Sequence, residues 1–185
     1  MNGADFLGEI ISVLNRAEIR YMIAGSFASS FHAEPRTTND LDVVIDVEID
    51  DIERLLAIVD RDVYYIDDDD ARDAARLPSM FNIIDYRAGW KADLIVRRDR
   101  RFSREEFDRR QRVRLYGHDT FVATAEDTIL SKLEWPTKGG SQRQLADAAA
   151  VLRSQAAVDD AYLDRWAPEL GVEAVLAQAR SLAHP

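Results

Sequence analysis

No cysteine occurs among the 185 residues, which excludes disulfides, cysteine-ligated zinc and a catalytic thiol. No apolar run approaches the roughly 20 residues of a membrane span. The opening MNGADFLGEI has no basic stretch before an apolar one, so neither a secretory leader nor a membrane partner is expected, and a cytoplasmic protein is. Histidine is sparse. His32, His118 and His184 lie far apart, a distribution unsuited to an imidazole-bound metal. Internal repeats are also lacking.

What is present is an ordinary globular composition, 46% hydrophobic and 31% charged. It suits one compact domain, or one with a helical annex, and excludes disorder or a coiled coil as the main description. The net charge of −10 argues against a general nucleic-acid coat. Its distribution is uneven. Positions 40–70 are strongly acidic, with Arg54 and Arg61 as the only cations, whereas positions 87–114 are rich in arginine. An acidic pole beside a basic strip suits a metal site facing a phosphate-rich substrate, and its part from Arg97 to Arg114 is a candidate RNA contact.

Hydrophobic spacing predicts a helix over 5–17 capped by Asp5, a buried strand over 21–24, a short helix over 27–32 and a second strand over 40–47. A helix capped by Asp50 or Asp51 follows, then a strand over 63–66. The run Asp67 to Asp70, with the helix-favouring stretch to Arg76, reads as an exposed connection. Strands over 80–86 and 90–96 flank a turn at Arg87-Ala88-Gly89, and a second hairpin surrounds Gly117-His118-Asp119. From Thr124 the pattern is helical, opened by the T-x-x-D spacing of Thr124 and Asp127, with a further helix from Ser141 to Ser154. The expected organisation is therefore an α/β (α+β) unit over 1–123, a mixed β-sheet flanked by helices, followed by a helical bundle over 124–185.

Chemistry concentrates in Gly25-Ser26, an interval of thirteen residues, and Asp40-Leu41-Asp42 within an apolar strand. Strand side chains alternate, so Asp40 and Asp42 share one face about 7 Å apart while Leu41, Val43 and Ile45 enter the core. Two carboxylates so placed repel each other unless a cation is shared, and hard oxygen ligands suit Mg²⁺ or Mn²⁺. Asp93 is a third acid inside an apolar strand. Upstream, Gly25 permits close backbone approach to a ligand, and the helix it opens directs amide donors at phosphate.

This constellation, Gly25-Ser26 with Asp40-Leu41-Asp42 and Asp93, resembles the nucleotidyltransferases of the DNA polymerase beta superfamily. The segment Arg36-Thr37-Thr38-Asn39-Asp40-Leu41-Asp42 is similar to the R-x-T-x-D-h-D of the abortive-infection nucleotidyltransferase toxins and their bacterial relatives. So are Glu126-Asp127-Thr128-Ile129-Leu130-Ser131-Lys132-Leu133 and Ser141-Gln142-Arg143-Gln144-Leu145-Ala146-Asp147, although Gln144 and Ala146 are uncharged where many of those toxins are basic. The resemblance covers roughly residues 21–155.

It implies a nucleotidyltransferase fold in which an acceptor hydroxyl attacks the α-phosphorus of an NTP and pyrophosphate leaves. Asp40, Asp42 and Asp93 would be the catalytic and metal-binding residues. Gly25, Ser26, Arg36, Thr38, Lys132 and Arg143 would bind the nucleotide. Implied partners are NTP, a tRNA or protein acceptor, and a cognate antitoxin or neighbour-gene product. The alternatives are a small-molecule, antibiotic-type nucleotidyltransferase and a non-catalytic binding protein on the same fold.

Overall fold

A computed structural model describes residues 2–33, 38–134 and 141–184. The first helix, α1 (Gly3–Arg16), is capped by Asn2, whose side chain accepts from the Asp5 N–H while Asp5 returns the bond. The cap therefore falls three residues before the expected Asp5, which is instead the reciprocal partner of a capping box. Helix α1 buries Phe6, Leu7, Ile10 and Leu14. Strand β1 (Arg20–Ile23) leads into α2 (Gly25–His32), and β2 (Asp40–Asp46) into α3 (Ile49–Ile58). Glu48 and Asp51 form the box that starts α3, so Glu48 rather than Asp50 or Asp51 is its N-cap.

After β3 (Tyr64–Tyr65), the acidic run proves to be helical. Asp67 caps α4 (Asp68–Arg76) by accepting the Asp69 and Asp70 N–H groups, both at 3.0 Å. Asp68, Asp69 and Asp70 fill its first turn, where a helix N-terminus favours negative charge. The concentrated acid that reads as an exposed connection is thus a helix-start device.

Strands β4 (Met80–Asp85) and β5 (Lys91–Val96) form the expected hairpin, and Gly89 supplies its left-handed turn residue at φ 69°. Helix α5 (Arg101–Asp108) was not expected. It places Phe107 in one hydrophobic core and Phe102 in another, so its apolar face is divided. Strands β6 (Gln111–Leu115) and β7 (His118–Val122) make the second hairpin, and α6 (Ala125–Glu134), α7 (Ser141–Ser154), α8 (Asp160–Leu170) and α9 (Glu173–Ala183) follow.

The seven strands form one mixed sheet in the order β3-β4-β5-β2-β1-β7-β6. Pairs β2–β5 and β1–β7 are parallel and the others antiparallel. One core lies between the sheet and the helices before residue 123, around Phe6, Leu14, Met22, Leu41, Ile45 and Phe81. The second lies among the later helices, around Leu130, Val151, Leu163 and Trp166, with Phe102 entering it from α5. No helix among the described residues is long and apolar enough to cross a membrane.

Glu106 on α5 is 7% exposed and accepts a 2.6 Å hydrogen bond from the Ser131 hydroxyl on α6. Burial raises its pKa to about 8, against the Ser131 bond and the nearby Arg100, and with the charges of Asp127 and Glu134. A folded pKa above the unfolded value means that its stabilising contribution is complete below about pH 4.5 and disappears as pH rises towards 8. Glu106→Gln is expected to remove that loss. In urea titrations at pH 5 and pH 9, the wild type should lose a few kcal/mol more than the variant over this interval.

Candidate active site

The site lies at the end of the sheet where β1 finishes and β2 and β5 begin. The Ala24 N–H donates to the Asp42 carbonyl at 2.9 Å, which draws the turn after β1 against β2. Gly25 follows at φ +56°, and a Cβ built there would lie 1.8 Å from Asp42 Oδ2. Only glycine satisfies both the backbone conformation and that contact. The Ser26 N–H bonds the Asp42 carboxylate. The Gly-Ser turn and the D-x-D strand thus form one contiguous structure. Gly25→Ala is expected to displace the Asp42 carboxylate and abolish Mg²⁺-dependent NTP binding, measured by calorimetric titration; unchanged binding would separate this turn from the nucleotide.

In β2 the side chains of Leu41, Val43 and Ile45 are fully buried, while Asp40 is exposed and Asp42 half-buried on the opposite face. Asp46 continues this face but is claimed by two arginines, Arg20 and Arg97, the latter at 2.8 Å. That neutralisation separates Asp46 from the other two acids. Parallel register sets Asp40 beside Lys91 and Asp42 beside Asp93. The four side chains form a block with acids at three corners and an ammonium at the fourth.

Asp93 is 7% exposed. One of its oxygens accepts from the Asn82 amide on β4, and the other lies 3.0 Å from Lys91 Nζ. Lys91 also reaches Asp40 Oδ1 at 3.6 Å. Burial opposes the charge on Lys91, yet its contacts with Asp93 and Asp40 leave its pKa above the ordinary value. Burial raises the pKa of Asp42, and Asp93 and Asp40 add to this, while Lys132 and the Ser26 N–H act against them.

Lys132 on α6 is 6% exposed and ion-paired with Asp147 of α7 at 2.8 Å. Thr38 exchanges hydrogen bonds with the Asp40 backbone at 3.2 Å, steadying the start of β2. Arg143 is exposed on α7, one turn before Asp147. Arg36 lies outside the described residues.

The structure therefore gathers Gly25, Ser26, Asp40, Asp42 and Asp93, with Lys132 electrostatically coupled to Asp42. Thr38 serves the backbone of this assembly. Three contributors had no assigned role at the sequence level: Lys91, Asn82 and Asp147. Lys91 was detectable as the residue sharing a strand face with Asp93. Asn82 was a polar interruption in Met80-Phe81-Asn82-Ile83-Ile84, but its partner depended on strand order.

Do these residues fit a divalent cation? A half-buried Asp42 crowded by Asp93 and Asp40 has the anionic oxygen donors that Mg²⁺ or Mn²⁺ takes. Asp40 and Asp42 fit best, because both oxygens of Asp93 are already engaged by Asn82 and Lys91. Among the described residues no group of three or more acids or histidines is gathered tightly enough to enclose a metal by itself. This is consistent with a cation completed by substrate oxygens, as is usual for Mg²⁺.

The arginine strip is largely spent on internal pairs. Arg97 binds Asp46, Arg100 binds Glu134, Arg101 binds Glu169, Arg104 binds Asp99, Arg109 binds Asp127 and Glu126, and Arg112 lies 3.9 Å from Asp119. Arg110 covers the rings of Phe107 and Phe121.

No protein-family model matches this chain, and no curated protein matches it significantly. Solved structures do. An antigenic nucleotidyltransferase-like protein from Paracoccidioides brasiliensis superposes with a TM-score of 0.60 at 16% identity, over 95% of this chain and 90% of the other. The lincosamide antibiotic adenylyltransferase LnuA, bound to lincomycin, gives 0.55 at 10% identity, over 82% and 98%. The antibiotic-resistance factor ANT(2'')-Ia gives 0.55 at 11% identity, over 98% and 97%. The mixed-sheet fold is thus shared with nucleotidyltransferase-like proteins across most of the chain.

Proposed function

We propose that this chain is a metal-dependent nucleotidyltransferase that moves NMP from an NTP to a hydroxyl group, and that the acceptor is a small molecule. The observation carrying the reading is the union of Gly25-Ser26 with Asp42 against Asp93. It sets a phosphate-binding helix start beside paired carboxylates. In this reading residues 1–123 form the catalytic unit and 124–185 a helical part packed on it.

Asp40 and Asp42 would hold Mg²⁺ or Mn²⁺; Asp93, which the family resemblance also counts as a metal ligand, has its oxygens engaged by Asn82 and Lys91 and is assigned the proton instead. The bound ion would neutralise triphosphate charge and orient the α-phosphate. Gly25, the Ser26 hydroxyl and the first turn of α2 receive the β- and γ-phosphates. Lys132, ion-paired with Asp147, would add positive potential near the same anion, and Thr38, Arg36 and Arg143 would supply further phosphate contacts. The acceptor oxygen forms its bond to the α-phosphorus as the bond to pyrophosphate breaks, and Asp93 takes the hydroxyl proton. Positioning and electrostatics carry the rate.

A small acceptor is favoured over RNA because most arginines of the strip are ion-paired within the chain, although Arg98 and Arg114 are exposed, and because the chain carries a net charge of −10. Two of the fold neighbours, LnuA and ANT(2'')-Ia, are by name an antibiotic adenylyltransferase and an antibiotic-resistance factor. The resemblance to abortive-infection toxins points instead to a tRNA or protein hydroxyl and an antitoxin partner.

One assay separates these readings: α-³²P-labelled ATP, GTP, CTP and UTP with Mg²⁺, offered in turn total RNA, lysate protein and a small-molecule extract. Label in the small-molecule fraction is expected. Label on RNA or protein would transfer the assignment to the toxin-like reaction, and no label in any fraction would overturn the enzyme.

A further inference from the structure

The fourth corner of the acidic block is a lysine. Asp40 and Asp42 alternate onto one face of β2, Lys91 and Asp93 onto the adjoining face of β5, and the register pairs Asp40 with Lys91 and Asp42 with Asp93. The Lys91 ammonium lies between the two strands, 3.0 Å from Asp93 and 3.6 Å from Asp40. The second oxygen of Asp93 accepts from Asn82, which stands opposite Asp93 on β4. Asp93 is therefore furnished with a cation and a donor by the protein itself. Asp42 is placed differently: it takes the Ser26 N–H, and the lysine that acts on it electrostatically, Lys132, is ion-paired with Asp147.

The charges of the block can be weighed directly. Three carboxylates and one ammonium leave two negative charges, which one divalent cation cancels. A second would lie next to the Lys91 ammonium and would compete with it for the same Asp93 oxygen, a repulsion that a half-buried setting screens poorly. We propose that Lys91 restricts this block to one protein-held divalent cation, at Asp40 and Asp42, and itself supplies the positive charge at Asp93. Lys91 is then a positioning residue: it orients the carboxylate that receives the acceptor proton. The inference rests on the reading of these acids as a metal site.

Direct counting tests it. The purified chain is titrated with Mn²⁺ alone and the free aquo ion is quantified by electron paramagnetic resonance. One site-bound Mn²⁺ per chain is expected for the wild type and for Lys91→Arg, and two for Lys91→Met. Asp42→Asn should bind none at this block and so identifies ions held elsewhere on the acidic surface. Two site-bound Mn²⁺ in the wild type, or one in Lys91→Met, would overturn the role of Lys91. Failure of both the wild type and Lys91→Met to bind Mn²⁺ at the block would instead overturn the metal site itself. Lys91 is partly exposed and Met keeps its apolar length, so folding of the variant is expected and is checked by near-ultraviolet circular dichroism.

Discussion

Asp42→Asn is expected to abolish Mg²⁺-dependent NTP binding and to lower nucleotidyl transfer by at least about 10²–10³-fold, the range associated with loss of one preorganised electrostatic group. The substitution keeps shape and removes charge at the position where Gly25, Ser26 and Asp93 converge. Stability moves in the opposite sense. Burial, Asp93 and Asp40 raise the pKa of Asp42, so its stabilising contribution is complete below the ordinary carboxylate range and declines as pH increases through the raised value. The asparagine variant is expected to melt at or above the wild-type temperature at neutral pH while losing activity. Such a combination marks a functional carboxylate maintained at some cost to the fold. A variant that still binds NTP with Mg²⁺, or that loses activity only because it unfolds, contradicts the assignment.

Asp127→Ala has the largest expected effect on stability, about 3–5 kcal/mol. Asp127 is fully buried at the start of α6. Its carboxylate accepts from the Tyr162 hydroxyl at 2.6 Å, the Thr124 hydroxyl at 2.6 Å and Arg109 Nε at 3.1 Å, while its own N–H donates to Thr124 at 3.1 Å. Arg109 also lies over the Tyr162 ring, 3.8 Å from its centroid. One carboxylate thus joins the end of α5, the start of α6 and α8. Truncation leaves a partly buried guanidinium and a phenol without their common acceptor, which costs more than the ion pair itself contributes. The urea midpoint is the readout, with Asp127→Asn expected to be milder. A loss below about 1 kcal/mol would show that the network is dispensable.

The core of the candidate site was legible because it is encoded by a local rule. Alternation along a strand places Asp40 and Asp42 together whatever the tertiary fold, and the T-x-x-D spacing of Thr124 and Asp127 announces a helix start. Legibility ended where partners are distant. Nothing in the neighbourhood of Asp46 indicates that Arg20 and Arg97 neutralise it, and the Lys132–Asp147 pair requires two helices to be docked. The acidic run at 67–70 was legible as exposed, as Asp69 and Asp70 are, but not as a helix start, in which Asp67 caps α4 and the other three occupy its first turn. Helix α5 escaped notice because Phe102 and Phe107 serve different cores and leave no continuous apolar stripe. The arginine strip was visible in the sequence, but its counterions, such as Asp46, Glu134 and Asp127, were not, because most are distant in the chain.

The origin of the transferred phosphorus decides whether this chain is a nucleotidyltransferase. Parallel incubations with α-³²P and γ-³²P forms of the NTP that binds, with Mg²⁺ and the small-molecule extract, distinguish nucleotidyl transfer from other phosphate chemistry. Acceptor label from the α position alone is expected, with pyrophosphate released in equal amount and both lost in Asp42→Asn. Acceptor label from the γ position, or release of inorganic phosphate without acceptor label, would contradict nucleotidyl transfer.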